Sequence, residues 1–186
     1  MIGKVIIFSA PSGAGKTTVV KHLLNAFPQL EFSVSATSRQ IRGNETNGKD
    51  YFYISAEEFR TKIENQEFIE WEEVYEGCYY GTLRSELKRI WQKENIVVFD
   101  VDVKGGMNLK RILGDNALAI FINPPSLEIL EERLRARSTD NEESIIRRVN
   151  KAGLEMHFSG HFDKVLLNDD LNETLKTAEN WVKEFI

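Results

Sequence analysis

The octapeptide APSGAGKT, which begins at Ala10, combines glycines, a lysine and a hydroxyl residue at a spacing that can bind phosphate. Gly13 and Gly15 allow backbone N–H groups to wrap a phosphate chain at the start of a helix. Lys16 can reach the β and γ phosphates, and the Thr17 hydroxyl can ligate Mg²⁺. We therefore predict a nucleotide-binding loop here, and a glycine-rich turn without a ligand is the alternative.

One position departs from the pattern G-x-x-x-x-G-K-[ST], because Ala10 stands where the pattern has its first glycine. The loop tolerates this Cβ if the backbone φ of Ala10 is negative. The residues that would touch phosphate are all present. The predicted nucleotide-contacting set is Ala10, Pro11, Ser12, Gly13, Ala14, Gly15, Lys16, Thr17 and Thr18.

The chain around this loop alternates short apolar runs with segments of helical spacing. The runs are unbroken, which is typical of parallel strands that helices cover on both faces. A strand before the loop and a helix after it supply the context that the phosphate pattern requires. We predict an α/β fold with a parallel sheet. The predicted strands are 5–8, 96–99, 117–122 and 165–167, and the predicted helices are 17–27, 126–137, 142–158 and 170–185.

Two stretches interrupt this alternation. Residues 38–93 are rich in aromatic residues, polar residues and turn signals, so we predict an inserted lobe with antiparallel strands. Residues 126–149 carry several arginines around a polar turn, as a mobile lid would, and Thr139 with Glu142 predicts a capping box there. We predict a single domain over 1–186, with its core over 1–37, 94–125 and 150–186.

Composition limits the classes of partner. The chain has 186 residues, 41% of them hydrophobic, which suffices for one substantial core. A net charge of −5 argues against a nucleic-acid coat or a basic membrane-surface protein. Cys78 is the only cysteine, and no apolar stretch approaches the ~18 residues of a membrane span. We expect a cytoplasmic protein that binds neither nucleic acid nor membrane, and its oligomeric state stays open.

A series of short motifs follows in a fixed order along the chain. Taken with the phosphate loop, they make the sequence resemble the guanylate kinase family over essentially its whole length. Each motif alone is moderately specific, and the set is very specific. The motifs are SATSRQIR from Ser35, NGKDY from Asn47, EFIEW from Glu67, YYGT from Tyr79, DVD from Asp100 and NDDL from Asn168.

The resemblance implies transfer of phosphate from ATP to GMP in purine nucleotide metabolism, with dGMP as a further expected acceptor and Mg²⁺ as cofactor. It implies a P-loop NTPase core with a GMP-binding lobe over 38–93 and a helical lid over 126–149. In that family the residues that hold GMP form two groups. Those matching Arg39, Arg42, Tyr51 and Tyr80 hold the phosphate, and those matching Ser35, Glu70, Thr82 and Asp102 read the guanine.

The chemistry of these residue types agrees with such roles. Guanine presents N1–H and N2–H₂ donors side by side, which a carboxylate such as that of Glu70 can accept together. Planar guanidinium groups match a phosphate dianion, and Arg39 and Arg42 are three residues apart. Any of these residues taken alone could be an ordinary solvated surface residue. Their joint occurrence favours a pocket for GMP.

Asp100 ends the apolar run 96–99, where a carboxylate can orient Mg²⁺ together with Thr17. A strand-end aspartate that caps the next turn is the alternative. Asn168 resembles the family's adenine-side contact.

Lid arginines can neutralise charge on the transferred phosphoryl group. Arg133, Arg137 and Arg148 match the family's lid positions, whereas Arg135 and Arg147 have no match. Arg135 fits better as the i,i+4 partner of Glu131 on a charged helix face. The predicted catalytic cations are Lys16, Arg39, Arg133, Arg137 and Arg148.

Two other functions stay open on the sequence alone. One is a binding module, since guanylate-kinase-like domains of membrane scaffold proteins bind phosphopeptides without catalysis. The intact Lys16 and Thr17 argue against that reading. The other is a P-loop kinase for a different phosphorylated acceptor, against which the residues around Glu70 argue.

Overall fold

The described part of the chain alternates strands and helices in an α/β fold. The structure is a computed structural model that describes residues 3–136 and 141–186. The strands in these ranges are β1 (Val5–Ser9), β2 (Leu30–Phe32), β3 (Ala36–Thr37), β4 (Phe52–Tyr53), β5 (Phe68–Tyr75), β6 (Cys78–Leu83), β7 (Ile96–Asp100), β8 (Ala117–Asn123) and β9 (Lys164–Leu167). The helices are α1 (Lys16–Ala26), α2 (Ala56–Glu64), α3 (Arg84–Trp91), α4 (Val103–Leu113), α5 (Leu127–Ala136), α6 (Glu142–Met156) and α7 (Leu171–Phe185).

Five strands form a parallel sheet in the order β2-β7-β1-β8-β9. All five residues of β1 are buried, as its unbroken apolar sequence predicted. Successive side chains of β1 enter two different apolar clusters: Ile6 and Phe8 pack with the side of α1, and Val5 and Ile7 pack with the side of α4. The predicted α/β fold with a parallel sheet is confirmed.

Four of these strands correspond to the predicted apolar runs, namely β1, β7, β8 and β9. The edge strand β2 was not predicted, because three residues carry too little hydrophobic pattern to identify a strand. None of the helices in the described ranges combines the length and the apolar character needed to span a membrane.

A second, four-stranded sheet has the order β4-β3-β6-β5. Its strands β5 and β6 form an antiparallel hairpin, and β3 is also antiparallel to β6. The hairpin of β5 and β6 confirms the antiparallel strands predicted within 38–93. β3 lies before that stretch and pairs in parallel with β4, because the long segment between them returns to the same end of the sheet. Phe59 of α2 stacks between Phe68 and Tyr79 and forms the small core of this region.

The lobe predicted over 38–93 does not coincide with this sheet at either end. The sheet begins at Ala36, and Leu87 and Ile90 of α3 pack into the cluster under the central sheet. The division into core, lobe and lid stays a prediction.

The helices of the predicted lid region are α5 and α6, which pack against each other. α6 begins after Asn141, whose side-chain oxygen accepts a hydrogen bond of 2.9 Å from the backbone N–H of Ser144. This cap differs from the predicted capping box, of which Thr139 lies outside the described residues. The sequence analysis also did not predict α4, which follows β7 and the N-cap Asp102.

Candidate active site

A cavity of about 730 Å³ lies between the phosphate loop and the smaller sheet. Its walls are the loop with the first turn of α1, the residues that follow β7, strands β5 and β6, and part of α6. The predicted site residues that line it are Ala10, Pro11, Ser12, Gly13, Gly15, Lys16, Thr17, Thr18, Ser35, Tyr51, Glu70, Tyr80, Asp100 and Asp102. The predicted residues that do not are Ala14, Arg39, Arg42, Thr82, Arg133, Arg148 and Asn168, and Arg137 lies outside the described residues.

The phosphate loop joins β1 to α1 and depends on two glycines with positive φ. Gly13 has φ 97° and Gly15, the N-cap of α1, has φ 94°. Ala10 is buried, and its φ is not positive, so its Cβ is tolerated as the sequence analysis required. The loop therefore places backbone N–H groups and the N-terminus of α1 at the cavity, where they can bind an anion.

Asn168, which follows β9, supports this loop from beneath. Its side-chain amide donates a 2.7 Å hydrogen bond to the carbonyl of Ala14, and the residue is buried. A Cβ at Gly15 would lie 2.2 Å from the same amide nitrogen, so only glycine fits there. This bond uses one of the two amide N–H donors of Asn168, so its adenine-side role stays a prediction.

Lys16 holds an internal counterion in this structure. Its Nζ lies 2.5 Å from Oδ1 of Asp100 and donates a 2.8 Å hydrogen bond to the carbonyl of Val101. Both side chains are about one-fifth exposed. A nucleotide phosphate would therefore exchange places with a carboxylate rather than meet an unpaired cation.

Thr17 and Asp100, the predicted Mg²⁺ ligands, line the same cavity. Their oxygen donors suit Mg²⁺, which takes one or two protein ligands and completes its shell with substrate phosphates and water. No group of three or more His, Cys, Asp or Glu side chains that could hold a metal occurs within 3–136 and 141–186. This donor set fits Mg²⁺ that arrives with a nucleotide, rather than a metal held by the protein alone.

Arg39 lies behind the cavity in a network of hydrogen bonds. Its Nε donates to the Tyr80 hydroxyl at 3.1 Å, and Nη1 donates to the carbonyl of Gln40 at 2.9 Å. Nη1 and Nη2 each donate to one oxygen of Glu45 at 2.7 Å. The guanidinium also lies 5.0 Å from the ring centre of Tyr51. Four of its five N–H donors are thus in use, so a two-point contact with phosphate requires the release of one.

Glu45 is a site residue that the sequence analysis missed. Besides Arg39, its carboxylate accepts hydrogen bonds from the Tyr53 hydroxyl at 2.7 Å and from the backbone N–H of Arg42 at 2.9 Å. These donors hold the pKa of Glu45 down at about 2. The signal in the sequence is a carboxylate three residues after Arg42, in a turn beside two arginines. Arg42 itself is exposed and does not line the cavity, which differs from its predicted contact with the acceptor phosphate.

Exchange of Arg39 for lysine tests this network. Arg39→Lys keeps the charge but loses the planar fork and its stacking on Tyr51, so we expect the KM for the phosphorylated acceptor to rise at least ~tenfold. Amide hydrogen exchange around Thr46 and Tyr53 should become faster, because Glu45 loses its two-point partner. The control is Arg60→Lys on α2, for which both readouts should match the wild type. An unchanged KM in Arg39→Lys would contradict a role of the fork in binding.

Glu70 and Asp102 bring two carboxylates together at the other side of the cavity. Oε1 of Glu70 accepts a 2.8 Å hydrogen bond from the hydroxyl of Thr82, which is buried behind it. Oδ1 of Asp102 accepts a 2.8 Å bond from the backbone N–H of Gly105 at the start of α4. A Cβ at Gly105 would lie 3.1 Å from Asp102 Oδ1 and 3.6 Å from Glu70 Oε2. The two carboxylates can therefore accept donors of one flat ligand.

Burial raises the pKa of Glu70 to about 7. The nearby charges of Asp102 and Glu72 raise it further, and the hydrogen bond from Thr82 lowers it. Glu70 is thus partly protonated near neutral pH.

This titration predicts how acceptor binding depends on pH. Only the carboxylate of Glu70 can accept two N–H donors, so we expect the KM for GMP to fall by about tenfold between pH 6 and pH 8. The phosphate of GMP itself has a second pKa of about 6. In Glu70→Gln the GMP phosphate still titrates but residue 70 does not. The KM of this variant for GMP should therefore change much less between pH 6 and pH 8. Parallel pH profiles for the two proteins would exclude Glu70 as the titrating group.

Arg133 and Arg148, the predicted lid arginines within the described residues, lie outside the cavity. Arg133 Nη1 donates a 2.9 Å hydrogen bond to the backbone carbonyl of Asn168, and Arg148 is half-buried on α6. Arg135 contacts Glu131 at 2.7 Å, which confirms the predicted i,i+4 pair, and it also contacts Glu142. The catalytic roles of Arg133 and Arg148 stay predictions.

Comparison with known proteins identifies the family. The model of the guanylate kinase family matches residues 2–185, which is nearly the whole chain. The chain belongs to the guanylate kinase family. It is 50% identical to the guanylate kinase of Bacteroides thetaiotaomicron over all of this chain and 91% of that protein. It is also 50% identical to the guanylate kinase of Porphyromonas gingivalis, over 98% of each chain.

A solved structure agrees with this membership. The crystal structure of guanylate kinase from Anaplasma phagocytophilum superposes with a TM-score of 0.76 at 30% identity. The match covers 98% of this chain and 86% of that chain. The resemblance of the sequence to the guanylate kinase family is thus confirmed in sequence and in fold.

Proposed function

We propose that this protein is an enzyme that transfers the γ-phosphoryl group of ATP to GMP, giving ADP and GDP. One observation supports this most directly: the cavity that contains the phosphate loop also contains the paired carboxylates of Glu70 and Asp102. A donor phosphate site and a site complementary to the N–H edge of guanine thus share one cavity. Membership of the guanylate kinase family agrees with the same reaction.

Glu70, Asp102 and Thr82 are the proposed readers of the base. Glu70 accepts N1–H and N2–H₂ of guanine, and Asp102 stands next to it as a second acceptor. Ser35, which lines the cavity, offers a hydroxyl to the polar edge of the base. Adenine presents an acceptor at N1 where guanine presents a donor, so the carboxylates disfavour AMP.

Tyr51 and Tyr80 line the cavity between the two ends of the site and are the proposed contacts of the acceptor phosphate, with Arg39 behind them. Binding would draw Arg39 away from Glu45, since only one of its N–H donors is free. Arg42 is exposed and would reach the phosphate only after a movement of its segment.

The proposed chemistry rests on alignment and charge. The acceptor oxygen of GMP is already anionic, so the reaction needs no strong general base. Lys16, and the lid arginines Arg133, Arg137 and Arg148, would stabilise the charge on the transferred phosphoryl group. Mg²⁺ held by Thr17 and Asp100 would neutralise the donor phosphates. Closure of the two flanking regions would exclude water, which competes as acceptor.

Release of ADP in a coupled assay tests this proposal. ATP is offered with GMP, dGMP, AMP, IMP, CMP or UMP as acceptor. We expect GMP to have the largest kcat/KM, dGMP to be accepted more weakly, and AMP, CMP and UMP to give rates near that of water. Turnover that is fastest with another acceptor would overturn the assignment of GMP, and an absence of turnover with all six would favour the binding module.

The cytoplasm is the proposed location, because ATP and GMP occur there and because the free thiol of Cys78 suits a reducing compartment.

A further inference from the structure

Two residues of α6, Lys151 and Glu155, line the same cavity as the phosphate loop, and the sequence analysis singled out neither. Lys151 Nζ lies 3.4 Å from Oε1 of Glu155, one helical turn further on. The Lys151 side chain is 64% exposed and Glu155 is 15% exposed. Lys151 is therefore held loosely at the cavity, whereas Glu155 is part of its wall.

Lys151 is one of few cations in a cavity whose charged lining is mainly carboxylate. Among the described residues that line it, the cations are Lys16 and Lys151. The carboxylates that line it are Glu70, Glu72, Asp100, Asp102 and Glu155. Carboxylates thus outnumber cations in this lining by five to two, and Lys16 already contacts Asp100 at 2.5 Å, so the cavity is acidic. A nucleotide that brings several more negative charges into this space requires additional cations.

The position of α6 indicates which of the two nucleotides Lys151 can contact. α6 packs on α5, and Leu134 of α5 lies against the phosphate loop, where its Cδ2 is 2.9 Å from a Cβ built at Gly13. Lys151 thus belongs to a pair of helices that borders the phosphate loop, and the charge of Lys16 in that loop acts on its neighbour Glu155.

We propose that Lys151 leaves Glu155 and contacts the phosphate chain of ATP. This inference rests on the proposed binding of ATP at the phosphate loop. Arg148, one turn earlier on α6, is a predicted catalytic cation, so Lys151 extends the same charged face of the helix by one turn.

Calorimetric titration of MgATP in the absence of acceptor tests the inference. Lys151→Met should weaken MgATP binding by about tenfold, as expected for one charge-assisted phosphate contact, and Lys151→Arg should restore most of it. The dissociation constant for GMP, measured in parallel, should stay within about twofold of the wild type. Lys176→Met, which removes one exposed positive charge from α7, is the matched control and should bind both nucleotides normally.

A second pair of variants separates phosphate contact from mere neutralisation of Glu155. If Lys151 contacts phosphate, Lys151→Met/Glu155→Gln should still bind MgATP about tenfold more weakly than Glu155→Gln alone. Equal affinities of these two proteins would overturn the inference, because Lys151 would then act only by screening a carboxylate. Weaker binding of GMP instead of MgATP would overturn the donor-side assignment.

These outcomes are independent of the acceptor. MgATP binding is measured without GMP, so a wild type that binds MgATP but does not phosphorylate GMP would refute the proposed reaction and leave the role of Lys151 testable. Thermal unfolding of Lys151→Met and Lys151→Arg should match the wild type, since Lys151 is largely exposed.

Discussion

Exchange of Lys16 for methionine should reduce kcat by orders of magnitude and leave the GMP affinity almost unchanged. Lys16 is the cation of the phosphate loop, and its Nζ already holds an anion, Asp100, at 2.5 Å. The proposed reaction needs this charge most when negative charge moves between the donor and the transferred phosphoryl group. Methionine fills a similar volume without the charge, so binding of the acceptor at the other end of the cavity should persist. Steady-state kinetics and GMP titration measure the two effects separately.

Lys21→Met, on the exposed side of the same helix, is the matched control and should keep wild-type kinetics. Asp100 loses its partner in Lys16→Met, but it is partly exposed and remains solvated, so the fold should survive. A Lys16→Met protein that retains more than about a tenth of the wild-type kcat would contradict the assignment of Lys16. Loss of the fold would also contradict it, since the expected defect is chemical.

Exchange of Glu70 for glutamine should damage recognition of the base more than any other step. The amide places an N–H donor against the donor edge of guanine, which leaves polar groups unpaired. We expect kcat/KM for GMP to fall by roughly 10- to 1,000-fold, whereas the affinity for ATP should change little. IMP lacks the 2-amino group and already forgoes one of the two bonds, so its lower activity should fall by a smaller factor. Measurement of kcat/KM for GMP and IMP on the wild type and on Glu70→Gln tests this expectation.

The stability of Glu70→Gln distinguishes lost recognition from lost folding. The pKa of Glu70 is about 7 in the folded protein, above the ordinary value of 4.5. The folded state therefore binds this proton more tightly than the unfolded chain, and stability is lost as the pH rises from 4.5 through 7. At pH 8 the neutral glutamine should unfold at a higher temperature than the wild type. Glu76→Gln, in an exposed turn, is the control.

Equal fractional losses of kcat/KM for GMP and IMP in Glu70→Gln would mean that Glu70 supports the lobe instead of reading the 2-amino group.

The phosphate loop could be predicted from the sequence because its determinants are local. Gly13 and Gly15 adopt positive φ, Ala10 does not, and Lys16 begins a helix, all within one short segment. The parallel sheet was predictable for a similar reason, since a strand buried on both faces is apolar at every position.

Contacts between distant segments could not be predicted in this way. Asn168 contacts Ala14, 154 residues earlier, and no local pattern shows that its amide would hold the loop. Lys151 and Glu155 lie on an amphipathic helix, but the sequence does not say which polar positions of α6 meet the cavity. Glu45 was missed because a carboxylate in a polar turn is usually solvated, and only the folded turn brings it onto Arg39.

Three of the cations with a proposed phosphate contact carry a carboxylate of their own: Asp100 for Lys16, Glu45 for Arg39 and Glu155 for Lys151. Each of these three cations is therefore already neutralised, and binding of a phosphate to it is an ion exchange. Chloride or another monovalent anion would only replace one ion pair of each cation with another, with no gain in binding free energy. The phosphate chain of ATP would reach Lys16 and Lys151 together, so that a single molecule replaces two separate carboxylates. Asp100, Glu45 and Glu155 thus compete with any incoming anion, which favours binding of multivalent phosphates over binding of the small anions in solution.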